Sequence, residues 1–468
     1  MLLKWEELLC DKRRRSSAKK KGKEGLKDLR SEFEKDYHRI IGSASFRRLQ
    51  DKAQVFPLDR SDFVRTRLTH SLEVASFAKS LGQNIGESLT IRQRDDICSI
   101  LECAGLIHDI GNPPFGHFGE TAIREWFTEH LSELELDGVP LTKLLSPQMQ
   151  EDLYHFEGNA QAFRLVTKLH YLIDEYGMNL TYGLLNTIVK YPVSSLAIDE
   201  HSGDIKTKKL GYYLADEEIF KDITSSTGAF DNRHPLTFIL EAADDIAYRT
   251  ADLEDAYVKG FLSYGFILEQ MEALEEGARG QDFRPGSVLK DLYTRCAGQQ
   301  LGNPEEYAIK NWIIRLQGYL INIATENFTK HYDEIMAGTY KEDLFAGAFA
   351  GKIMRSLGRI AYDEVFTSQA IYGMEATEAV IIDFLMERFV TAAVKYDTGV
   401  HMNAIEKRMI TFISSNYKRA YHHHGQGKSS EEKLYLRLLL VTDYVCGMTD
   451  SFAKKLYQDL NGITIDTI

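Results

Sequence analysis

An all-α fold is what this 468-residue chain predicts. In segment after segment apolar residues recur at the spacing of a helix that buries one face. Alternating apolar and polar runs, the mark of half-buried strands, are scarce. Only nine prolines interrupt the chain, and no internal repeat is evident.

Taken in order, the first thirty residues differ from the rest. Lys12, Arg13, Arg14, Arg15, Lys19, Lys20, Lys21 and Lys23 crowd one short stretch, read as a solvated basic arm (residues 1–30) or as a contact for an anion or nucleic acid. Residues 33–58 carry apolar positions near helical spacing and end at Pro57. Residues 70–90 predict a helix with Leu72, Val74, Ala75, Phe77, Ala78, Leu81 and Ile85 on a broad apolar face. Residues 97–110 are apolar nearly all round, as in a helix buried within a bundle. Pro113 and Pro114 end that run, because neither can donate a backbone hydrogen bond.

A helix resumes over 121–134, and 138–150 reads as turn-rich. Segments 158–176 and 180–191 read as helices, and polar residues 193–211 as a loop or a small hairpin. A long helix is predicted over 235–258, followed by amphipathic helices over 307–328, 375–396, 404–421 and 431–460. His422, His423 and His424 read as loop or surface residues, since three consecutive histidines rarely point at one ion.

Composition limits the function classes. Hydrophobic content of 44% and charged content of 27% are those of an ordinary globular protein. A formal net charge of −13 argues against a protein that coats nucleic acid with its whole surface, though not against a local basic patch. Five cysteines with no CxxC spacing do not form a disulfide framework. No apolar run approaches a membrane span, and the N-terminus lacks the apolar core of a signal peptide, so a cytoplasmic location is expected.

Chemistry concentrates between Ala104 and Glu120, AGLIHDIGNPPFGHFGE. On a helix the adjacent His108 and Asp109 lie about 100° apart and can converge on one ion, although a cap or a surface pair would look the same. His117 and Glu120, three residues apart, suit a general acid/base pair in which the carboxylate orients the imidazole and holds its charged form; an ordinary contact on a helix surface is the alternative. In EAADDIAYRTADLEDA, Asp244 and Asp245 interrupt an apolar helix. A buried carboxylate there needs a metal or a cationic partner.

The order His, His-Asp, Asp across separate helices resembles the HD-domain phosphohydrolases. Longer strings narrow the resemblance: residues 31–58, TRLTHSLEVA, HDIGNPPFGHFGE, FEGNAQAFR, EAADDIAYRTADLEDA and GMTDSFA look like the bacterial deoxyguanosine triphosphate triphosphohydrolases. The resemblance implies an HD-domain catalytic core over 31–260, its motif region at about 65–255. Residues 261–468 would form a helical C-terminal region that completes the substrate pocket and an oligomer interface. The implied metal ligands are His70, His108, Asp109 and Asp244, for Mn²⁺, Mg²⁺ or Fe²⁺ rather than structural zinc. Asp244 is chosen over Asp245 because it shares one helix face with Tyr248 and Asp252.

The implied activity is metal-dependent cleavage of a dNTP, dGTP foremost, at its α-phosphate, releasing a deoxynucleoside and inorganic triphosphate. Arg67 would meet the phosphates, with Lys190, Tyr191 and Lys209 as further contacts. Tyr248 and Asp252 would line the deoxyribose, Gln50 would lie near base and sugar, and Asn112, a further substrate contact, would stand in the turn where a related animal dNTP hydrolase has a second histidine. Family members are homo-oligomers, often hexamers, and some respond to a dNTP effector or to single-stranded DNA. The competing readings are an HD nucleotidase or phosphatase of other specificity, and a nucleotide-sensing or nucleic-acid-binding protein whose HD site does no chemistry.

Overall fold

Side-chain caps punctuate the helices as local sequence dictates. The computed structural model describes residues 2–15, 28–56, 65–170, 174–276, 283–300 and 302–463. The first helices are α1 (Trp5–Leu8), α2 (Glu32–Ile41), α3 (Ala44–Arg48), α4 (Arg67–Ile85), α5 (Ile91–Ile107) and α6 (Gly116–His130). Next come α7 (Leu141–Leu144), α8 (Pro147–Tyr154), α9 (Gly158–Arg164), α10 (Tyr182–Thr187), α11 (Glu217–Ser226) and α12 (Pro235–Val258). The C-terminal part holds α13 (Tyr264–Glu276), α14 (Pro285–Gln299), α15 (Pro304–Lys330), α16 (Tyr332–Met336), α17 (Phe349–Ala361) and α18 (Gln369–Lys395). It ends with α19 (Ala404–Phe412), α20 (Ser415–His424), α21 (Ser430–Cys446) and α22 (Asp450–Leu460). The only sheet among the described residues is a two-residue ladder, Glu135–Leu136 against Val139–Pro140.

Ser31 with Glu34, Thr66 with Thr69 and Thr90 with Gln93 form reciprocal capping boxes at α2, α4 and α5. Pro235, Pro285 and Pro304 open α12, α14 and α15, where a missing N–H costs nothing. The 24-residue α12 packs against both α4 and α5. α4 and α5 approach closely because Gly105 has no side chain: a Cβ there would fall on the backbone of Ala75. This crossing brings the start of α4 toward the end of α5.

Several predicted elements are broken. The segment from residue 33 divides at Gly42-Ser43, where Ser43 caps α3, and its expected end at Pro57 lies outside the described residues. The segment 158–176 stops at a π turn, Leu165–Leu169, and the 404–421 segment divides at Ile413-Ser414. The 431–460 segment divides at Gly447, and Thr449 caps the following helix. Residues 193–211 hold two 3₁₀ turns, Ser195–Ala197 and Ile205–Thr207, and no strand. His422, His423 and His424 belong to the last turn of α20 rather than to a loop; His422 Nε2 lies 2.9 Å from the Tyr396 hydroxyl.

Residues 2–15 are anchored to the rest of the chain rather than forming a solvated basic arm. Leu3, Trp5 and Leu8 are buried, and Trp5 Nε1 donates to the Tyr332 hydroxyl at 2.9 Å. Arg13 pairs with Glu32 and Asp36, Arg15 with Asp174, and Lys12 with Asp222, so these cations are engaged by the chain itself. The apolar positions Leu3, Trp5 and Leu8 anchor the segment, and its charges find acidic partners on arrival. Lys19, Lys20, Lys21 and Lys23 lie outside the described residues.

The C-terminal helices share the core of the rest. Arg164 of α9 makes a two-pronged bond to Asp443 of α21, at 2.8 and 2.9 Å, with all three charged groups of the Asp443-Arg164-Asp216 cluster buried. All five cysteines are free thiols. No helix among the described residues is long and apolar enough to cross a membrane.

α18 carries Glu378 into this core with both carboxylate oxygens buried and unpartnered. Burial, then the nearby Asp450 and Glu375, push its carboxyl from about 4.5 up to about 8. The folded protein therefore holds a proton that the unfolded chain has lost, and stability falls as pH rises through that window, by at most about 1.4 kcal/mol per pH unit. Glu378→Gln is expected to raise Tm by several degrees near pH 8 and to leave it almost unchanged near pH 5. A thermal shift of the same size at both pH values contradicts this.

Candidate metal and phosphate site

Three elements deliver one cluster. Thr66 starts α4 so that Arg67 and His70 lie on its buried face; α5 ends at Ile107, leaving His108 and Asp109 in the turn that follows; α12 supplies Asp244 from its middle. His70, His108 and Asp244 each offer a ligand atom, and these atoms all lie within 4.8 Å of one another. Asp244 Oδ1 is 3.2 Å from His70 Nε2 and 3.3 Å from His108 Nε2. His108 is oriented through Nδ1, 2.8 Å from the Gly105 carbonyl, which leaves its Nε2 facing the cluster, buried and without a hydrogen-bond partner. That set fits a divalent cation.

Asp109 stands beside this trio rather than within it. One of its oxygens is paired with the Arg67 guanidinium; the other accepts from Asn112 Nδ2 at 2.9 Å and lies 3.5 Å from His108 Nε2. Burial alone would push both carboxyls up. Arg67 and His108 instead hold Asp109 well below the carboxylate range, and Lys190 and His108 do the same for Asp244. His108 itself is pushed down by burial but ends above its ordinary value because Asp109 and Asp244 face it. Asp245 differs from its neighbour: burial and the charges of Glu241 and Asp244 raise it to about 7. Asp244, not Asp245, faces the imidazoles.

The expected cations are all in ion pairs. Lys190 donates to Asp244 Oδ2 at 2.8 Å, and Lys209 lies 2.8 Å from Glu157 Oε2. Arg67 is almost fully buried against Asp109. Tyr191 is buried, and burial pushes its hydroxyl up against the opposing charge of Lys190. Asn112, expected as a substrate contact, is buried at 4% exposure and braces Asp109, which accounts for a turn residue with a carboxamide. Gln50 is exposed on a 3₁₀ turn after α3. Tyr248 and Asp252 follow Asp244 along α12, and both Asp252 oxygens are buried without partners. Burial and the charge of Asp255 push that carboxyl well above its usual range.

His117 and Glu120 sit in the first turns of α6, with His117 Nδ1 3.3 Å from Glu120 Oε2. The imidazole is open at 71% side-chain exposure, whereas Glu120 is buried and accepts from the Gly158 N–H at 2.7 Å. Burial would raise Glu120, but the His117 hydrogen bond and charge bring it to about 2. The same bond raises the His117 pKa, so each partner holds the other charged. Gly158 explains the FEGN string: a Cβ there would fall on Asn112 Oδ1 and Glu120 Oε1. Three residues that shape the site give no chemical signal in sequence, namely Lys52, Gly158 and Asp450. The strings RRLQDK, FEGN and GMTD mark where they lie, but their contacts come from distant segments.

Comparison with known proteins gives the family. A family model of the HD domain matches residues 67–168, a stretch that contains His70, His108 and Asp109 but not Asp244. A deoxyguanosinetriphosphate triphosphohydrolase-like protein of Listeria monocytogenes is 48% identical over 474 residues, covering 99% of this chain and 100% of that one. A Synechocystis protein of the same description is 31% identical over 99% of this chain and 100% of its own length. The deoxyguanosinetriphosphate triphosphohydrolase of Yersinia enterocolitica is 33% identical over 92% of this chain and 93% of its own. Fold and site thus define an HD-domain protein with an all-α core. Within that class the chain belongs to the deoxyguanosinetriphosphate triphosphohydrolase-like family.

Proposed function

We propose that this chain is a metal-dependent dNTP triphosphohydrolase, acting in the cytoplasm, that splits the bond between the α-phosphorus and the 5′-oxygen, with dGTP the favoured substrate. The observation that carries the reading is the group of His70, His108 and Asp244, the two histidines buried and the aspartate partly exposed, with His108 Nε2 left without a hydrogen-bond partner. These residues, with Asp109 as the fourth donor, would hold Mn²⁺ or Mg²⁺, with Fe²⁺ a third choice by ligand chemistry. When bound, the ion would draw charge off the α-phosphate and acidify a water.

In this reading the rest of the chain binds, orients and moves a proton. Arg67, Lys190 and Lys209 neutralise a triphosphate of about four negative charges, now balanced by Asp109, Asp244 and Glu157. The water oxygen becomes part of the released triphosphate, and the 5′-oxygen leaves with a proton from His117, whose imidazolium is held by Glu120. Tyr248 and Asp252 meet the sugar, where the buried Asp252 oxygens accept from a hydroxyl. Tyr191 and Asn112 support the phosphate cations and Asp109, and Gln50 reaches toward the base.

The test is a panel of the four dNTPs and GTP with Mn²⁺ or Mg²⁺, with products separated by chromatography. Equal amounts of deoxynucleoside and intact triphosphate are expected, fastest with dGTP. Orthophosphate or pyrophosphate without triphosphate would sink the reading in favour of an HD phosphatase or nucleotidase. Binding of dGTP to metal-loaded protein without turnover would favour a sensor. The proposal includes a homo-oligomer, up to a hexamer. Adding a second dNTP or single-stranded DNA to the same panel tests for an effector.

A further inference from the structure

We propose that Asp450, at the start of α22, is a positioning residue that sets His117, acting through the backbone of Phe115. This rests on the reading of His117 as proton donor. Phe115 precedes α6 in the left-handed conformation (φ 66°), and Gly116 follows in the same region (φ 63°). Gly116 adopts that region freely, but for a bulky residue such as Phe115 it is strained and persists only where its surroundings enforce it. No side chain of its own caps the helix at this point.

The enforcing contact comes from the far end of the chain. Asp450, 2% exposed, accepts from the Phe115 N–H through Oδ1 at 2.9 Å and from the Ala53 N–H through Oδ2 at 2.8 Å. Lys52 grips the other side of the same corner: its Nζ donates to the Asn112 carbonyl at 2.6 Å and to the Cys446 carbonyl at 2.7 Å. The Lys52 carbonyl in turn accepts from the Arg67 N–H at 2.9 Å. The α21–α22 corner therefore holds the Asn112–Phe115 turn at both ends and reaches Arg67 through one residue. His117 lies two residues beyond Phe115, so the angle at which α6 leaves the turn fixes where its imidazole stands relative to the metal trio. Asparagine at 450 keeps the shape but offers an N–H₂ group to one of the two donors, so one grip is lost.

The experiment is a cycle of Asp450→Asn, His117→Ala and the double variant, assayed with dGTP and Mn²⁺ alongside metal content and Tm. Asp450→Asn is expected to lower kcat about 10- to 100-fold with KM and metal content unchanged, and to lower it less than about threefold once His117 is alanine. Equal losses in both backgrounds, or a loss shared by KM and metal, would overturn the positioning role. If His117→Ala alone costs nothing, the proton-donor reading has failed and the proposal falls with it. Should Asp450→Asn not fold, residue-resolved hydrogen exchange on the wild-type protein decides: a Phe115 amide as slow as core helix amides supports the bond, and fast exchange overturns it.

Discussion

Asp109→Ala protein is expected to lose bound metal and dGTP turnover together. The carboxylate lies 3.5 Å from His108 Nε2, on the flank of the His70-His108-Asp244 trio, and the reading makes it the fourth donor. The substitution also strips Arg67 of its partner, and a buried unpaired guanidinium costs about 3–5 kcal/mol. Asp109→Asn separates the two effects, because the carboxamide still offers Arg67 an oxygen while weakening any bond to a metal. Metal per subunit, measured on both variants, is then the deciding quantity. Full occupancy with retained turnover in Asp109→Asn would remove Asp109 from the ligand set and leave it as the residue that orients Arg67.

His117→Ala has the opposite signature: metal content unchanged and kcat lower by roughly 10²–10⁴. The exposed imidazole touches no member of the trio, so its removal leaves the ligands in place. The pH profile supplies a second readout. Bonding to Glu120 raises the His117 pKa, so the proton it must donate is retained to higher pH than in a free histidine. Turnover should therefore hold level below that pKa and fall as pH rises through it, and the alkaline fall attributable to this group should be absent from His117→Ala. Glu120→Gln lowers the His117 pKa by removing the charge that holds the imidazolium, and it moves the alkaline limb to lower pH. An unmoved limb would show that another group supplies the proton.

Helices were legible in this sequence because their signals are local. Capping boxes at Ser31, Thr66 and Thr90, prolines at helix starts and a 3.6-residue apolar period each act within a few residues. Breaks were harder. Ser414 and Thr449 each start a new helix inside an apolar pattern that continues across them, so periodicity joins what the caps divide. The N-terminal stretch reads as an arm because charge dominates its composition, whereas its anchors are Leu3, Trp5 and Leu8.

The site divides in the same way. His70, His108 and Asp244 stood out as chemical types in unusual places, and the resemblance joined them. What each cation does was not legible, since the Lys190–Asp244 and Lys209–Glu157 pairs join residues more than fifty positions apart or lying on separate turns. Asn112 also braces Asp109, a bond that no local signal announces. Lys52 and Asp450 lie in strings that carry the resemblance but give no chemical signal of their own, because a buried lysine between two carbonyls is defined only by the chain that closes around it.

The central claim is that water is delivered to the α-phosphorus. Hydrolysis of dGTP in ¹⁸O-labelled water by the metal-loaded protein, followed by mass spectrometry of both products, tests it most directly. One labelled oxygen in inorganic triphosphate and none in deoxyguanosine is the predicted result. Label in the deoxyguanosine 5′-hydroxyl, or in pyrophosphate or orthophosphate with no triphosphate formed, would contradict it.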